Sequence, residues 1–399
     1  MNETDTRGGP LSGIRVLDLT AVIMGPFATQ ILGDLGADVI SVEKPAGDSN
    51  RVMGKGPHPQ LSGVALNLLR NKRNVSLDFR QEEGRAALLR IAASCDVLVT
   101  NIRPDGLRRS RLCYEDIAAV RPDIVYCEAH GYPLGSAEEN YPAYDDIMQA
   151  RTGVADAIRR QSGTPMLAPT LIADKVCGMS IAYAVSAALV RRERTGRGDH
   201  IEVPMVDAML AWMLVEHGAS AVPQPPLGEA GYVRILSQHR KPQRTADGWI
   251  NVLPYGKASY DALFQAGGRT DLVGDARYAS ARARIANSDF LYSQVAQVIA
   301  ERTTAEWLDF CKANDIPATA VATLDSLVEA LPDAEHPEVG RYKQIPPPVR
   351  FTEAPASVRR PAPLIGADTD EVLAEVGLTA EEIEKLHVSG VIPAPPELG

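Results

Sequence analysis

Short apolar strands alternate with helices through the first half of the chain, and this alternation constrains the fold more than any other feature. The predicted elements are strand 14–19, helix 27–35, strand 37–43, helix 82–93, strand 96–100, helix 114–120 and strand 124–127. Strands joined by crossover helices form a parallel sheet with both faces covered. Such sheets bind ligands beyond the carboxyl ends of their strands. We therefore predict an α/β fold with a ligand site along that edge.

A smaller domain follows a break in composition. The run VPQPPLG at 222–228 is rich in proline and glycine, which is typical of a linker. Beyond it, a strand pair is predicted over 243–252 around an Asp-Gly turn, with helices over 257–266, 288–301 and 304–313. We predict a large domain over 1–221 and a smaller α+β domain over 229–330.

The C-terminal segment 331–399 is predicted to be an extended arm whose short helices return to the large domain. Prolines are frequent between 345 and 365, and helices are predicted over 369–375 and 380–387. Proline fixes φ and lacks a backbone N–H, so it favours extended chain here. An arm of this length with so little helix is expected to wrap across the first domain or a partner subunit.

Composition and charge exclude several classes of protein. The 399 residues are 45% hydrophobic and 23% charged, and their net charge of −10 argues against a nucleic-acid partner. The five cysteines form no CxxC pair and the histidines are dispersed, so no metal site is expected. The first residues are polar, and the longest apolar run, 176–190, is shorter than the ~20 residues that span a bilayer. We therefore expect a cytoplasmic protein with no membrane partner.

Common cofactor and hydrolase motifs are absent from the sequence. The turn after the first strand reads AVIMGP at 21–26, without the glycines of GxGxxG that let a pyrophosphate approach a helix. The sequence also has no P-loop, no GxSxG elbow and no HExxH. Cys177 lies within an apolar helical pattern, which indicates packing rather than a reactive thiol.

Asp174 is the candidate catalytic residue. It opens a long apolar helical pattern that runs to Val190 and exits through Gly196. An aspartate at that position is most often an N-cap. The alternative is a carboxylate that is kept ionised by the helix dipole and can act as a nucleophile. Spacing alone favours the cap.

The order of several motifs resembles family III CoA transferases of the formyl-CoA transferase and carnitine CoA-transferase type. The motifs are LSGIRVLDLT (11–20), GPFAT (25–29), LGADVISVEKP (35–45), NKRNVSLD (71–78), NIRP (101–104), RTGRG (194–198), RTADGW (244–249) and PAPLIGADTDEVL (361–373). They cover essentially the whole chain, in order. This resemblance overturns the preference for a simple cap at Asp174.

The resemblance implies a Rossmann-like large domain, a small α+β domain and an interlocked homodimer. It implies that Asp174 is the nucleophile and that coenzyme A enters as an acyl-CoA co-substrate, with no permanently bound cofactor. The implied CoA contacts are Val22, Ile23, Met24, Lys44, Leu77 to Arg80, Asn101, Ile102, Arg103, Arg109, Tyr144 and Asp145. The partners would then be small molecules, an acyl-CoA and a carboxylic acid.

Two departures from the formyl-CoA transferases bear on the substrate, and one difference from the related racemases bears on the reaction. Formyl-CoA transferases carry a glutamine where this chain has Ile23, and a glycine-rich loop where it has 253–257, which weakens the case for formyl or oxalyl groups. The related racemases use a Gly-His-Asp triplet, but 143–145 reads Ala-Tyr-Asp. Since racemisation needs two titrating groups, an acyl-CoA racemase is the weaker alternative, beside a non-catalytic CoA-binding protein. The run 239–241, His-Arg-Lys, could pair with the second carboxylate of a dicarboxylic acid or be a solvated turn.

Overall fold

The computed structural model describes residues 8–393 and separates the chain into two units. Among those residues, the larger unit contains everything up to 152, 169–212 and everything from 331 onward. The smaller unit contains 153–168 and 213–330. The predicted large domain, 1–221, therefore includes two stretches that the structure assigns to the smaller unit, 153–168 and 213–221.

The strands are short, and most of their residues are buried. Within the described residues they are β1 (Arg15–Leu19), β2 (Asp38–Glu43), β3 (Lys72–Ser76), β4 (Val97–Thr100), β5 (Val125–His130), β6 (Asp199–Pro204), β7 (Gln243–Arg244), β8 (Trp249–Val252), β9 (Ala318–Ala320), β10 (Asp333–His336) and β11 (Gly340–Lys343).

The helices vary in length from one turn to more than six turns. In the same part of the chain they are α1 (Met24–Asp34), α2 (Gly63–Leu68), α3 (Glu82–Ala93), α4 (Pro104–Ser110), α5 (Tyr114–Ala118), α6 (Asp145–Arg151), α7 (Val154–Ser162), α8 (Ile172–Thr195), α9 (Met205–His217), α10 (Lys257–Ala266), α11 (Ala281–Ala286), α12 (Ser288–Ile299), α13 (Thr304–Ala313), α14 (Leu324–Glu329), α15 (Thr369–Glu375) and α16 (Ala380–Val388).

The larger unit is built on a six-stranded sheet in the order β3-β2-β1-β4-β5-β6, with every neighbouring pair parallel. The predicted parallel α/β sheet is thereby confirmed. This is the doubly wound order, in which the fourth strand is added beside the first strand and not beside the third. The direction of strand addition reverses between β1 and β4, and the crevice at their carboxyl ends is the usual ligand site of such folds.

The sheet of the larger unit is covered by helices that include the C-terminal pair. Leu17, Leu98 and Tyr126 pack in one core with residues of α3 and with Val372 of α15 and Leu386 of α16. Helices α15 and α16 therefore contribute to the core of the larger unit.

Helix α8 packs tightly on α1. A Cβ added at Gly178 would lie 2.8 Å from the Met24 carbonyl oxygen and 2.9 Å from a ring carbon of Phe27. At Gly25, an added Cβ would lie 2.3 Å from the Thr20 side chain. Only glycine fits these two positions, which bring the end of β1, the start of α1 and the first turns of α8 together. By length and composition α8 could cross a membrane, but 56% of its apolar window is buried inside the protein, as in a core helix.

The proline-rich arm lies along the larger unit. Within 345–365 the chain forms no helix or strand, and the backbone N–H of Ser357 donates to the Asp34 carbonyl. The Arg359 guanidinium donates to the carbonyls of Gly33, Gly36 and Ala37, beside the C-terminal end of α1. Cations are favoured at helix C-termini because the last carbonyls have no helical partners.

The smaller unit has its own core. Strands β7, β8 and β9 form an antiparallel sheet, and the predicted strand pair around the Asp-Gly turn is confirmed as β7 and β8. Phe264, Tyr278 and Trp307 are fully buried among residues of α10, α12 and α13.

Candidate functional site

The ends of β1 and β4 are tied together by a pair of hydrogen bonds. The Asn101 side chain, just after β4, accepts from the Ala21 N–H at 2.9 Å and donates to the Ala21 carbonyl at 2.9 Å. Its amide therefore acts on the protein backbone rather than pointing freely at a ligand. These bonds join the two strand ends at the point where the strand order reverses.

A cavity of about 400 Å³, which we call the switch-point cavity, occupies this crevice. Its walls come from the ends of β1, β4 and β5 and from the starts of α1, α6, α8 and α9. The lining residues are Ala21, Val22, Met24, Asn101, Arg103, Ala129, His130, Gly131, Glu139, Tyr141, Pro142, Ala143, Tyr144, Asp174 and Met205. Five of the predicted contacts (Val22, Met24, Asn101, Arg103 and Tyr144) thus lie in one cavity with Asp174.

Asp174 is not the N-cap of its helix. Helix α8 begins at Ile172 with Leu171 as N-cap, so Asp174 occupies the third helical position. Among residues 8–393 its carboxyl group has no hydrogen-bond or ion-pair partner, although the residue is only 8% exposed. The cap expected from spacing alone is therefore wrong.

The cap of α8 is Asp145, which comes from the first turn of α6. Asp145 Oδ1 accepts the N–H groups of Ala173 at 2.7 Å and Asp174 at 3.1 Å. Its other oxygen accepts from Gln149 Nε2 at 2.5 Å. Asp145 is 3% exposed and does not line the switch-point cavity. The resemblance implied a CoA contact at Asp145, and the structure places its carboxylate at the start of α8, where it caps the helix.

The environment of Asp174 disfavours its charged form. Burial, and then the negative charges of Asp145 and Asp146, raise the pKa of its carboxyl to about 6, while Lys175 acts in the opposite direction. The sequence led us to expect an anion stabilised by the helix dipole. The carboxyl is instead a poorly solvated group that is still mainly ionised at neutral pH.

The turn after β1 has an unusual backbone. Val22 adopts φ of 70°, which is strained for a β-branched residue. Its N–H donates to both carboxylate oxygens of Asp48 at 3.1 Å. Ile23, a predicted CoA contact, is buried at the N-cap of α1 and does not line the cavity. Met24 begins α1 and does.

A second, cationic pocket of about 520 Å³ lies beyond the ends of β2, β3 and β4. Five cationic side chains and two carboxylates line it, and the full set is Lys44, Leu77, Asp78, Phe79, Arg80, Glu82, Arg85, Ile102, Gly106, Arg109, Ser110 and Arg111. Every predicted contact outside the switch-point cavity, apart from Ile23 and Asp145, lines this pocket.

The cations of this pocket differ in their partners. Arg80 is paired with Asp78 at 2.8 Å. Lys44 and Arg109 form no hydrogen bond or ion pair through their side chains in the described part of the chain, and both are exposed. They are therefore the cations most available to an anion. Leu77, by contrast, is fully buried in the core.

A smaller pocket of about 160 Å³ lies between the two larger ones along the sheet edge. It shares Ala21 with the switch-point cavity, and Lys44 and Ile102 with the cationic pocket. The three form a track along the carboxyl ends of the strands, from the cationic pocket to the Asp174 carboxyl. Such a track suits a long ligand with an anionic end and a reactive end.

Sequence reasoning missed some of the site and placed other residues outside it. His130, the last residue of β5, lines the switch-point cavity, but the histidines had been dismissed as dispersed. Its position at a strand end was the available signal. The run 239–241 lies in the smaller unit, where His239 faces Asp289 at 3.9 Å. Cys177 is buried, and burial raises its pKa to about 12, as expected for a packing residue.

Comparison with known proteins identifies relatives along the whole chain. The model of a family described as CoA-transferase family III matches residues 11–369. The chain is 32% identical over 394 residues to the succinyl-CoA:glutarate CoA-transferase of Mus musculus, covering 96% of this chain and 90% of that protein. It is 28% identical over 422 residues to the formyl-CoA:oxalate CoA-transferase of Bradyrhizobium sp. (strain ORS 278), covering 96% and 98%.

Solved structures share the fold. Rv3272 from Mycobacterium tuberculosis superposes with a TM-score of 0.77 at 28% identity, over 91% of this chain and 99% of that one. A structure of its aspartate-to-alanine variant matches equally well, with a TM-score of 0.77. A CAIB/BAIF family protein from Brucella suis gives a TM-score of 0.78 at 26% identity, over 92% and 100% of the two chains.

Proposed function

Because this chain belongs to CoA-transferase family III, whose members move CoA between an acyl-CoA and a carboxylic acid, we propose that Asp174 is the group that carries first the acyl group and then CoA. One observation carries this proposal. The Asp174 carboxyl is buried, has no partner within residues 8–393, and faces the cavity at the crevice of the sheet. A carboxyl held in that state is costly to the fold and points to a reacting group.

The proposed reaction has four steps. The Asp174 carboxylate attacks the thioester carbonyl of the donor, and the C–S bond breaks to give an aspartyl anhydride and CoA thiolate. The thiolate then attacks the Asp174 carbonyl, which releases the donor acid and forms an enzyme–CoA thioester. The acceptor carboxylate attacks that thioester, giving a second anhydride and thiolate. Finally the thiolate attacks the acceptor acyl carbonyl, which releases the new acyl-CoA and restores the Asp174 carboxylate.

The surroundings of Asp174 favour this chemistry. With a pKa of about 6 the carboxyl is ionised at neutral pH, and its poor solvation leaves the anion reactive. Each tetrahedral intermediate carries an oxyanion that needs hydrogen-bond donors. The N–H groups of Met24 and Gly25, in the first turn of α1, have no partner among the described residues. We propose them as donors, because Met24 lines the same cavity.

The track along the sheet edge fits coenzyme A as a substrate. The phosphates would lie in the cationic pocket near Lys44 and Arg109, whose charges have no partner in the described part of the chain. The pantetheine arm would follow the small central pocket to the switch-point cavity. Asn101 contributes by holding the turn at Ala21. No residue of this scheme requires a metal or a permanently bound cofactor.

We propose a dicarboxylic acid as the acceptor. The relatives that support this are named for glutarate, succinate and oxalate. The run 239–241 was the sequence candidate for the second carboxylate, but it lines neither the switch-point cavity nor the cationic pocket. A mass-spectrometric panel of donors and free acids tests the acceptor class directly.

Replacement of Asp174 tests the mechanism. Asp174→Asn and Asp174→Ala should fold and bind CoA, yet abolish exchange between acyl-CoA and free acid. Incubation of wild type with acyl-CoA and hydroxylamine should convert one peptide, the one containing residue 174, into a hydroxamate. The control is Asp146→Asn, a neighbouring exposed carboxyl, which should keep near-wild-type exchange. Transfer by Asp174→Ala at a near-normal rate would refute the assignment.

The two alternative functions and the oligomeric state are each tested by a separate measurement. A racemase would exchange the α-hydrogen of its acyl-CoA with deuterated water in the absence of an acceptor, whereas a CoA-binding protein would show no label exchange at all.

We also propose the interlocked homodimer. Helix α8 leaves Met179, Tyr183 and Val190 exposed on one face, an apolar patch that suits a subunit contact. Light scattering after gel filtration gives the mass in solution.

A further inference from the structure

A buried histidine–carboxylate–histidine cluster lies at the end of β5. Glu128 and His130 are two residues apart, so they project from the same face of β5, and His200 comes from the paired strand β6. His130 Nε2 lies 2.8 Å from one carboxylate oxygen of Glu128, and His200 Nε2 contacts the other. Burial raises the pKa of Glu128, but the two imidazoles outweigh it and lower the pKa to about 2. Glu128 is therefore an anion that accepts from both rings.

This arrangement leaves one polar atom of His130 unused. An ionised carboxylate only accepts hydrogen bonds, so the Nε2 of His130 must carry the proton. Its Nδ1 is the remaining polar atom of the ring. Nδ1 is buried and has no hydrogen-bond partner within residues 8–393, and the side chain is only 1% exposed. Unpaired buried polar atoms cost stability and are rare in folded proteins.

His130 lines the same cavity as Asp174. The backbone beside it is closely packed, because a Cβ at Gly131 would lie 2.1 Å from the Cβ of Ala143. Within residues 8–393, the switch-point cavity is therefore lined by two residues with an unpartnered polar group, namely the Asp174 carboxyl and the Nδ1 atom of His130. The first is accounted for by the proposed transfer steps. The second is not.

Neither metal binding nor proton transfer explains His130. Both rings of the cluster direct a nitrogen at a carboxylate oxygen, and in the described part of the chain no group of three His, Cys, Asp or Glu is placed to hold a metal ion. The proposed transfer also needs no general base, since its nucleophiles are a carboxylate and a thiolate. The role left for a ring nitrogen without a partner, on a residue that lines a substrate cavity, is recognition of the substrate.

We propose that His130 Nδ1 hydrogen-bonds an oxygen carried on the acyl chain, a terminal carboxyl or hydroxyl group, and so selects functionalised acids over plain ones. This inference rests on the proposed function and names the residue that sets its acceptor preference. A hydroxyl group donates to the neutral ring. A carboxylate accepts from the ring when Nδ1 carries a proton.

The test compares three acceptor acids of equal length: glutarate, the ω-hydroxy derivative of pentanoate, and pentanoate. His130→Phe keeps a ring of similar size but removes the nitrogen. It should lower kcat/KM for the first two acids by about tenfold or more, chiefly through KM, and leave pentanoate nearly unchanged. His130→Asn places a polar atom near the position of Nδ1 and should recover part of the loss. Loss with glutarate alone identifies a carboxyl, and loss with both identifies either oxygen function.

The matched control is His200→Phe. It removes the other hydrogen bond to Glu128, and His200 does not line the switch-point cavity. The preference among the three acids should stay at the wild-type ratio. An equal loss for all three acids in His130→Phe, or the same altered ratio in His200→Phe, overturns the proposal. The proposed function is tested separately, because transfer by Asp174→Asn would refute it whatever the His130 variants do.

Discussion

Replacing the Asp174 carboxyl should stabilise the protein while it abolishes transfer. The group is buried, lacks a partner among residues 8–393, and is repelled by Asp145 and Asp146. Asp174→Asn keeps the shape of the side chain and removes its charge. The variant therefore mimics the protonated, better tolerated form of the native residue at every pH.

The size of the effect follows from the shift in pKa. The carboxyl moves from an ordinary 3.8 to about 6 in the folded protein. Each unit corresponds to about 1.4 kcal/mol, so the ionised group costs the folded state about 3 kcal/mol above pH 6. Below pH 3.8 the group is protonated in both states and the cost disappears. The cost of the Asp174 carboxyl to the wild-type protein therefore shrinks, and the free energy of unfolding rises, as the pH falls from 7 to 4.

Thermal unfolding of both proteins between pH 4 and 8 measures this difference. A change of 1 kcal/mol moves Tm by about 2 °C in a unit of this size, so Asp174→Asn should unfold about 6 °C higher at pH 8. At pH 4 the two proteins should unfold at nearly the same temperature. Asp146→Asn is the control, since its carboxyl is exposed and should change Tm by about 1 °C at most.

Two results would contradict this reasoning. A variant that is no more stable than wild type at pH 8 would mean that the Asp174 carboxylate has a compensating partner, such as the dipole of α8. A gain in Tm that is the same at pH 4 and pH 8 would show that the effect comes from packing of the amide and not from charge. Either result would remove the argument that the Asp174 carboxylate is kept, at a cost to stability, for its function.

Three further changes probe the rest of the site. Asp145→Asn keeps the acceptor that caps α8 but removes a charge, so the acid limb of the pH–rate profile, near pH 6 in wild type, should move down by at most about one unit. Asn101→Ala breaks both bonds to Ala21; it should raise KM for acyl-CoA about tenfold and lower Tm, measured by kinetics and thermal unfolding. Arg109→Ala should weaken CoA binding about tenfold at low salt and less at high salt, measured by titration calorimetry, with kcat unchanged.

Local signals were enough to predict much of the fold. Helices over 82–93, 257–266 and 304–313 begin and end where the sequence indicated. In α13 the reason is visible, because Thr303 and Glu306 form a capping box that fixes the first turn. Such signals lie within a few residues of the element they define, and a sequence displays them directly.

Strand β3 was missed because its polar residues are stabilised by distant partners. Lys72 is buried and paired with Asp18 at 3.0 Å, and Asn74 donates to Glu43 at 2.6 Å. The partners come from β1 and β2, so they cannot be found from the spacing within β3. A run of charged and amide residues predicts an exposed segment unless those partners are known. The family resemblance marked this segment without indicating that it is a strand.

The site was predictable as a set of residues but not as a geometry, and strand order is the reason. Sequence reasoning placed Ala21 and Asn101 after strand ends, yet it could not say that these ends are neighbours. They meet because β4 is added beside β1 and not beside β3. In the sequential order β1-β2-β3-β4, Asn101 would lie next to Leu77, and its paired bonds to Ala21 could not form. Those two bonds therefore report the reversal that creates the cavity, and their loss in Asn101→Ala should disturb CoA binding about as much as the removal of a direct ligand contact in Arg109→Ala would.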